Sequence, residues 1–176
     1  CGGHEAWIRC SGELLDDVRA ATHATEMLRV WFVDPATRMN PNLTYAQFVP
    51  GVAEERIYGI LDTREFSLLI EDIGLLGATS AWTPDDQQSM EQWFAAYLEW
   101  LNAGERGNQC ARLANNHGSW CDVQLAAYAL FVNRTDVVER VLRAAAEDRI
   151  ARQIEPDGRQ PLELSRPRSW FYSVFN

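Results

Sequence analysis

Thr83-Pro84-Asp85-Asp86-Gln87-Gln88-Ser89-Met90-Glu91-Gln92-Trp93-Phe94-Ala95-Ala96-Tyr97-Leu98-Glu99-Trp100-Leu101 decides how the rest of the chain reads. The threonine offers a side-chain oxygen to the orphan N–H groups of a first helical turn. Proline at the first helical position has its φ already set, and two acids face the positive end of the helix dipole. Met90, Trp93, Phe94, Tyr97, Leu98 and Leu101 then recur at three- and four-residue spacing. The stripe predicts a long helix with one face in a core.

On the N-terminal side, Leu14, Leu15, Val18, Ala21, Ala24, Leu28 and Phe32 keep helical spacing behind Ser11 as a cap. They predict a helix over Gly12 to Val33, stopped at Asp34-Pro35 and preceded by an irregular segment, Cys1 to Ser11. Thr37 to Gln47 is polar, contains proline and has little periodicity, so it reads as a long surface loop. Ala53 to Asp62 and Arg64 to Leu76 read as short helices, the second stopped at Gly77.

On the C-terminal side, Asn102 to Asn116 reads as a connection and Trp120 to Val132 as a mostly buried helix. A further helix starts at Thr135-Asp136, with Val137, Val138, Val141, Leu142, Ala145, Ile150 and Ile154 inward and its arginines outward. Turn residues Pro156-Asp157-Gly158 end it. No run of strand-like alternation occurs. The expectation is an all-α chain of packed helical hairpins.

With 176 residues and 47% hydrophobic content, one domain spanning 1–176 with a sizeable core is expected. The chain begins at Cys1 without a signal peptide or an initiator methionine and reads as processed or trimmed. No uninterrupted apolar run reaches the length of about 18 residues that a membrane span needs. Residues 1–109 carry 7 Arg against 17 Asp and Glu, and residues 110–176 carry 9 against 8. Such overall acidity, −9 in net charge, argues against a nucleic-acid binder. All 16 basic residues are arginine, whose planar fork suits carboxylates.

Cys1, Cys10, Cys110 and Cys121 fall as two sequence-local pairs, which suits two small-loop disulfides in an oxidising compartment; four reduced thiols are the alternative. Asn42-Leu43-Thr44 and Asn133-Arg134-Thr135 are glycosylation sequons. Together these features point to a secreted or extracellular protein, periplasmic if bacterial. The absence of CxxC and HExxH spacings argues against a metal, and no glycine-rich phosphate loop or GxSxG elbow occurs.

Two stretches carry candidate chemistry. Asn115-Asn116-His117-Gly118-Ser119-Trp120 packs two amides, an imidazole and a hydroxyl in a turn before an apolar run, where a helix behind can hold them still. Glu163-Leu164-Ser165-Arg166-Pro167-Arg168-Ser169-Trp170-Phe171-Tyr172 places two arginines near a phenol. From spacing alone, the second stretch reads as a surface turn before a core-packing aromatic cluster rather than as a site.

These two blocks, with Trp31 to Asn42, Gly59-Ile60-Leu61-Asp62 and Gln153-Ile154-Glu155-Pro156-Asp157-Gly158, resemble the alginate-lyase domain family of polysaccharide lyases. The resemblance implies an (α/α) toroid, or an incomplete α/α barrel, whose cleft takes an acidic polysaccharide and cleaves it by β-elimination. It needs no metal or other cofactor. By position, Asn116, His117, Arg166 and Tyr172 match the family's catalytic residues, with Arg168 an alternative for the arginine because the spacing to the tyrosine departs by one. Cys121 stands where relatives carry tyrosine, and a bond to Cys110 would brace the loop bearing His117. Arg38, Asn40, Tyr45 and Gln47 are expected to line the cleft, with Trp31 or Trp120 stacking on sugar rings. Mannuronate-rich alginate is the first substrate expected and glucuronan the second. The rival readings are a glycoside hydrolase using two of Asp62, Asp157 and Glu163, and a non-catalytic carbohydrate-binding module.

Overall fold

A computed structural model describes residues 18–52 and 57–176. Among these, the regular elements are helices. Helix α1 (Val18–Leu28) runs into a π-helical turn, Arg29–Val33, and after the surface loop a 3-10 helix covers Ile57–Thr63. Then come α2 (Phe66–Leu76), α3 (Pro84–Ala103), α4 (Glu105–Ala111) and α5 (Asn116–Phe131). Helix α6 (Thr135–Ala145) is prolonged by a π turn, Ala146–Ile150, and by Ala151–Gln153. Two short helices follow, α7 (Pro161–Leu164) and α8 (Ser169–Phe175). No helix among the described residues is long and apolar enough to cross a membrane.

Helices α3 and α5 form the centre. Helix α3 packs on α4, α5 and the Arg29–Val33 turn, while α5 packs on α2, α4, α6 and the 3-10 helix. All six stripe residues of α3 are buried. Phe32, Phe66, Tyr128 and Phe131 join Trp93, Phe94 and Tyr97 of that stripe in ring contacts, many edge-to-face, as the charge distribution of aromatic rings favours. Inside this apolar mass, Tyr97 and Tyr128 meet Thr63 and Gln124. The Tyr128 hydroxyl donates to the Thr63 carbonyl at 2.8 Å, and the Thr63 and Tyr97 hydroxyls lie 2.6 Å apart. The network fixes the end of the 3-10 helix against α3 and α5.

The start of α3 is a capping box. The Asp86 N–H donates to Thr83 Oγ1 at 3.2 Å, and the Thr83 N–H donates to Asp86 Oδ2 at 2.9 Å. Arg29 closes on the same carboxylate with both arms of its fork, at 2.7 and 2.6 Å, which welds the end of α1 to the start of α3. The Arg29 hydrogen bond, helped by Thr83 and opposed by burial, holds the Asp86 carboxyl at about 2 against an ordinary 3.8. A depressed carboxyl stabilises the fold above the ordinary value and loses that contribution as pH falls through the lowered one. Asp86→Asn is therefore expected to cost about 2 kcal/mol at neutral pH. Urea titrations of both proteins should show the gap closing between pH 4 and pH 2; a gap independent of pH would contradict this account.

Several boundaries differ from the sequence expectation. The predicted helix Gly12 to Val33 is seen from Val18 and ends in a π turn. Its first residues, the Ser11 cap and the Cys1 to Ser11 segment lie outside the described residues, as does the start of the predicted helix at Ala53. Gly77 does close α2, with a right-handed φ of −57°. Asn102 to Asn116, expected as a connection, contains α4. Its glycines and asparagine are weak helix formers, and tertiary packing overrides them: a Cβ on Gly107 would sit 1.5 Å from the Leu101 carbonyl oxygen. On α6, Val137, Val138 and Val141 are buried as expected. Leu142, Ile150 and Ile154 are exposed instead: Leu142 lies one residue round the helix from the buried Val141, and the π turn shifts the helical phase after Ala145 for the other two.

Candidate active site

Asn116 and His117 lie in the first turn of α5, not in a loop before a helix starting at Trp120. Asn115 is the cap. Its Oδ1 accepts the His117 backbone N–H at 3.3 Å and stands 3.1 Å from His117 Nδ1. An amide oxygen only accepts, so this bond puts the proton of a neutral ring on Nδ1 and leaves Nε2 as an acceptor. Burial, then the charge of Arg166, lowers the imidazole below its usual range, and Glu163 acts in the opposite direction. The ring is thus neutral near pH 7.

Three devices hold this turn. The Cys110–Cys121 disulfide, expected from the resemblance, ties α4 to α5 across it and is buried at both ends. A crosslink closing so small a loop contributes about 3 kcal/mol. Cys1 and Cys10, the other expected pair, lie outside the described residues. The second device is Arg149, expected to face outward but turned in. It grips Asp122 at 2.8 and 3.2 Å and donates to the carbonyls of Ala111 at 2.6 Å and Leu113 at 3.2 Å. It thereby satisfies the last carbonyl of α4 and one in the link that leads to α5.

The third device is Glu163. It is 1% exposed, and its carboxylate accepts the Asn116 backbone N–H at 2.7 Å and the Asn116 Nδ2–H at 2.8 Å. Asn116 itself is fully buried. One turn further on, Arg166 leaves the same short helical segment, its N–H bonded to the Glu163 carbonyl at 3.0 Å. Its guanidinium lies over the ring of Tyr172, 4.0 Å from the centroid. Glu163 thereby links the turn of Asn116 and His117 to the α7–α8 segment that carries Arg166 and Tyr172, and the Arg166 charge reaches the His117 ring, so the four belong to one cluster. Arg168 is exposed at the start of α8, and its carbonyl accepts the Tyr172 N–H at 3.0 Å.

Tyr58 joins the cluster without having been anticipated, its ring 4.8 Å from that of His117. No local pattern marks it, because only the folded 3-10 helix brings it to α5. The surface loop reaches the same place. A Cβ on Gly59 would lie 2.4 Å from Ala46 Cβ, and Gln47 donates to Asp62 at 3.1 Å. Tyr45 and Gln47 therefore flank the segment carrying Tyr58, with Tyr45 75% exposed. Arg38 and Asn40 are exposed around Met39, whose carbonyl accepts the Trp93 indole N–H at 2.8 Å. Trp31 is exposed. Trp120 packs on Phe175 at 5.3 Å and donates its N–H to the Phe175 carbonyl at 3.0 Å, so it braces α8.

The profile of the family described as alginate lyase matches residues 12–176. Among solved structures, an alginate lyase from Bacteroides ovatus is similar, with 38% identity and a TM-score of 0.87. The match covers 91% of this chain and 43% of that one, so the chain spans less than half the length of that lyase. No curated protein matches the sequence significantly.

Proposed function

The chain belongs to the alginate lyase family, and from that premise we propose that it cleaves a 1,4-linked polyuronate by β-elimination. Mannuronate-rich alginate is the first substrate and glucuronan the second, and the helices form one arc of an (α/α) toroid. The observation that supports the site most is Arg166 stacked on Tyr172, with its charge reaching the His117 imidazole.

Removing the C5 proton of a uronate moves negative charge onto its carboxylate, which must be offset for the proton to leave. A neutral imidazole cannot supply that charge, so the cation is Arg166, assisted by hydrogen bonding from Asn116. Arg166 is preferred to Arg168 because it touches the phenol. Tyr172 protonates the departing O4 as the C4–O bond breaks and the C4=C5 bond forms. In a syn elimination Tyr172 has itself taken the C5 proton; in an anti elimination Nε2 of His117 takes it. Tyr45, Gln47, Arg38, Asn40 and Trp31 are proposed to contact the sugar chain, with Trp120 in support. The buried Cys110–Cys121 bond fits an oxidising, extracellular setting.

The carboxylates that a glycosidase would need are engaged elsewhere. Glu163 holds Asn116, Asp157 holds Arg159, and Asp62 accepts from Gln47. The test is incubation with polymannuronate, polyguluronate and glucuronan, following ultraviolet absorbance and reducing ends together. A lyase raises both. Reducing ends without absorbance would mean hydrolysis, and neither would mean binding alone; both outcomes refute the proposal.

A further inference from the structure

We propose that Glu163 is a positioning residue for the elimination, setting which end of the Asn116 carboxamide faces the substrate carboxylate; this rests on the lyase reading above. Asn116 is fully buried, and its two polar ends are treated differently. Nδ2 donates to Glu163 Oε2 at 2.8 Å, whereas Oδ1 has no partner among the described residues. An amide left to satisfy itself would not leave a buried acceptor bare. The orientation is imposed from outside, because turning the amide over would set Oδ1 against a carboxylate oxygen.

The second carboxylate oxygen accepts the Asn116 backbone N–H at 2.7 Å, so Glu163 fixes the main chain and the side chain of one residue together. That N–H is one of the orphan donors at the start of α5, where the helix dipole also favours an anion. This accounts for a carboxyl group at 1% exposure with no arginine fork on it among the described residues. With one Nδ2 hydrogen held by Glu163, the other is the donor left for a uronate carboxylate, which reaches it once the substrate displaces the side chains that cover Asn116. Glu163 and Arg166 are three residues apart on one short segment, so the group that orients the amide and the cation that offsets the charge move as a unit.

Glu163→Gln keeps the volume but puts an N–H where the second oxygen was. The favoured response is a flipped Asn116 amide, with Oδ1 toward Gln and the donor lost from its place. The expected result is a fall in kcat of about 100-fold, as for removal of one oriented donor, with KM within about threefold. In an Asn116→Ala background the same substitution should change kcat less than about threefold. An independent readout is the Asn116 side-chain amide in a 15N-asparagine NMR spectrum, where one proton held by a carboxylate is shifted downfield and protected from exchange. That signature should vanish in Glu163→Gln. If Glu163→Gln does not fold, Glu163→Asp, which withdraws the carboxylate by one methylene, serves in both measurements. Equal losses of kcat with and without Asn116, or an unchanged amide signature, would overturn the proposal. If the wild-type protein forms no unsaturated product, the lyase reading fails separately, and the NMR spectrum still decides whether Glu163 orients Asn116.

Discussion

Tyr172→Phe is expected to lower kcat on the preferred polyuronate by about 1000-fold, within the range for loss of a positioned proton donor. The protein should remain folded. The phenol oxygen makes no hydrogen bond among the described residues, and the ring keeps its contacts with Arg166 and with Phe171, 5.4 Å away. Initial rates of product absorbance, with circular dichroism as the control for folding, measure both halves. Full activity in a folded Tyr172→Phe protein would remove the phenol from the mechanism. The pH profile adds a check on its neighbour. Because burial and Arg166 lower the His117 imidazole, its neutral form persists below the ordinary 6.5. The acid limb of kcat/KM should therefore fall below pH 6.5, and should move upward in Arg166→Gln, where the depressing cation is gone.

Gly118→Ala is expected to be strongly destabilising. A Cβ there would lie 2.0 Å from the Leu113 carbonyl oxygen and 3.0 Å from Arg149 Cζ. Those two groups are hydrogen-bonded to each other. The methyl group would therefore wedge apart the clamp that holds the turn carrying Asn116 and His117. The cost should be about 3 kcal/mol, at the upper end for overpacking. That is a drop of roughly 6–12 °C in Tm for a chain of this size. Gly74→Ala on α2, where nothing lies within 4 Å, is the matched control and should leave Tm unchanged or raise it. Thermal unfolding curves of the two variants that coincide would discard the wedge.

What could be read in advance followed physical rules that act within a few residues. The Thr83 cap, the α3 stripe and the valines of α6 needed only helical periodicity, and all are where periodicity puts them. The blocks Asn115 to Trp120 and Glu163 to Tyr172 were recognisable as residue types in a fixed order. That Arg166 would meet the phenol became visible only in three dimensions. The failures share a cause. Helix α4 exists because a disulfide and a glycine contact override poor propensity, and the outer face of α6 changes when a π turn alters the helical phase. Tyr58, Arg149 and Glu163 act across distances in sequence that no local pattern spans. Glu163 did leave a trace, a carboxylate three residues before Arg166, but the residue type alone suggested an acid catalyst, and only its burial against Asn116 shows a holder.

The two sides of the cluster are anchored unequally. Asn116 and His117 sit behind a disulfide, a half-buried ion pair and the central helix, whereas α8 has no buried residue and leans on the core through Trp120, Phe175 and a few polar contacts. In free-energy terms, the phenol belongs to a part of the fold that opens locally at small cost, while the imidazole is released only by wider unfolding. A polyuronate touching both sides would tighten the first far more than the second. Some of its binding energy would then go into ordering Tyr172, so short substrates would lose turnover rate as well as affinity.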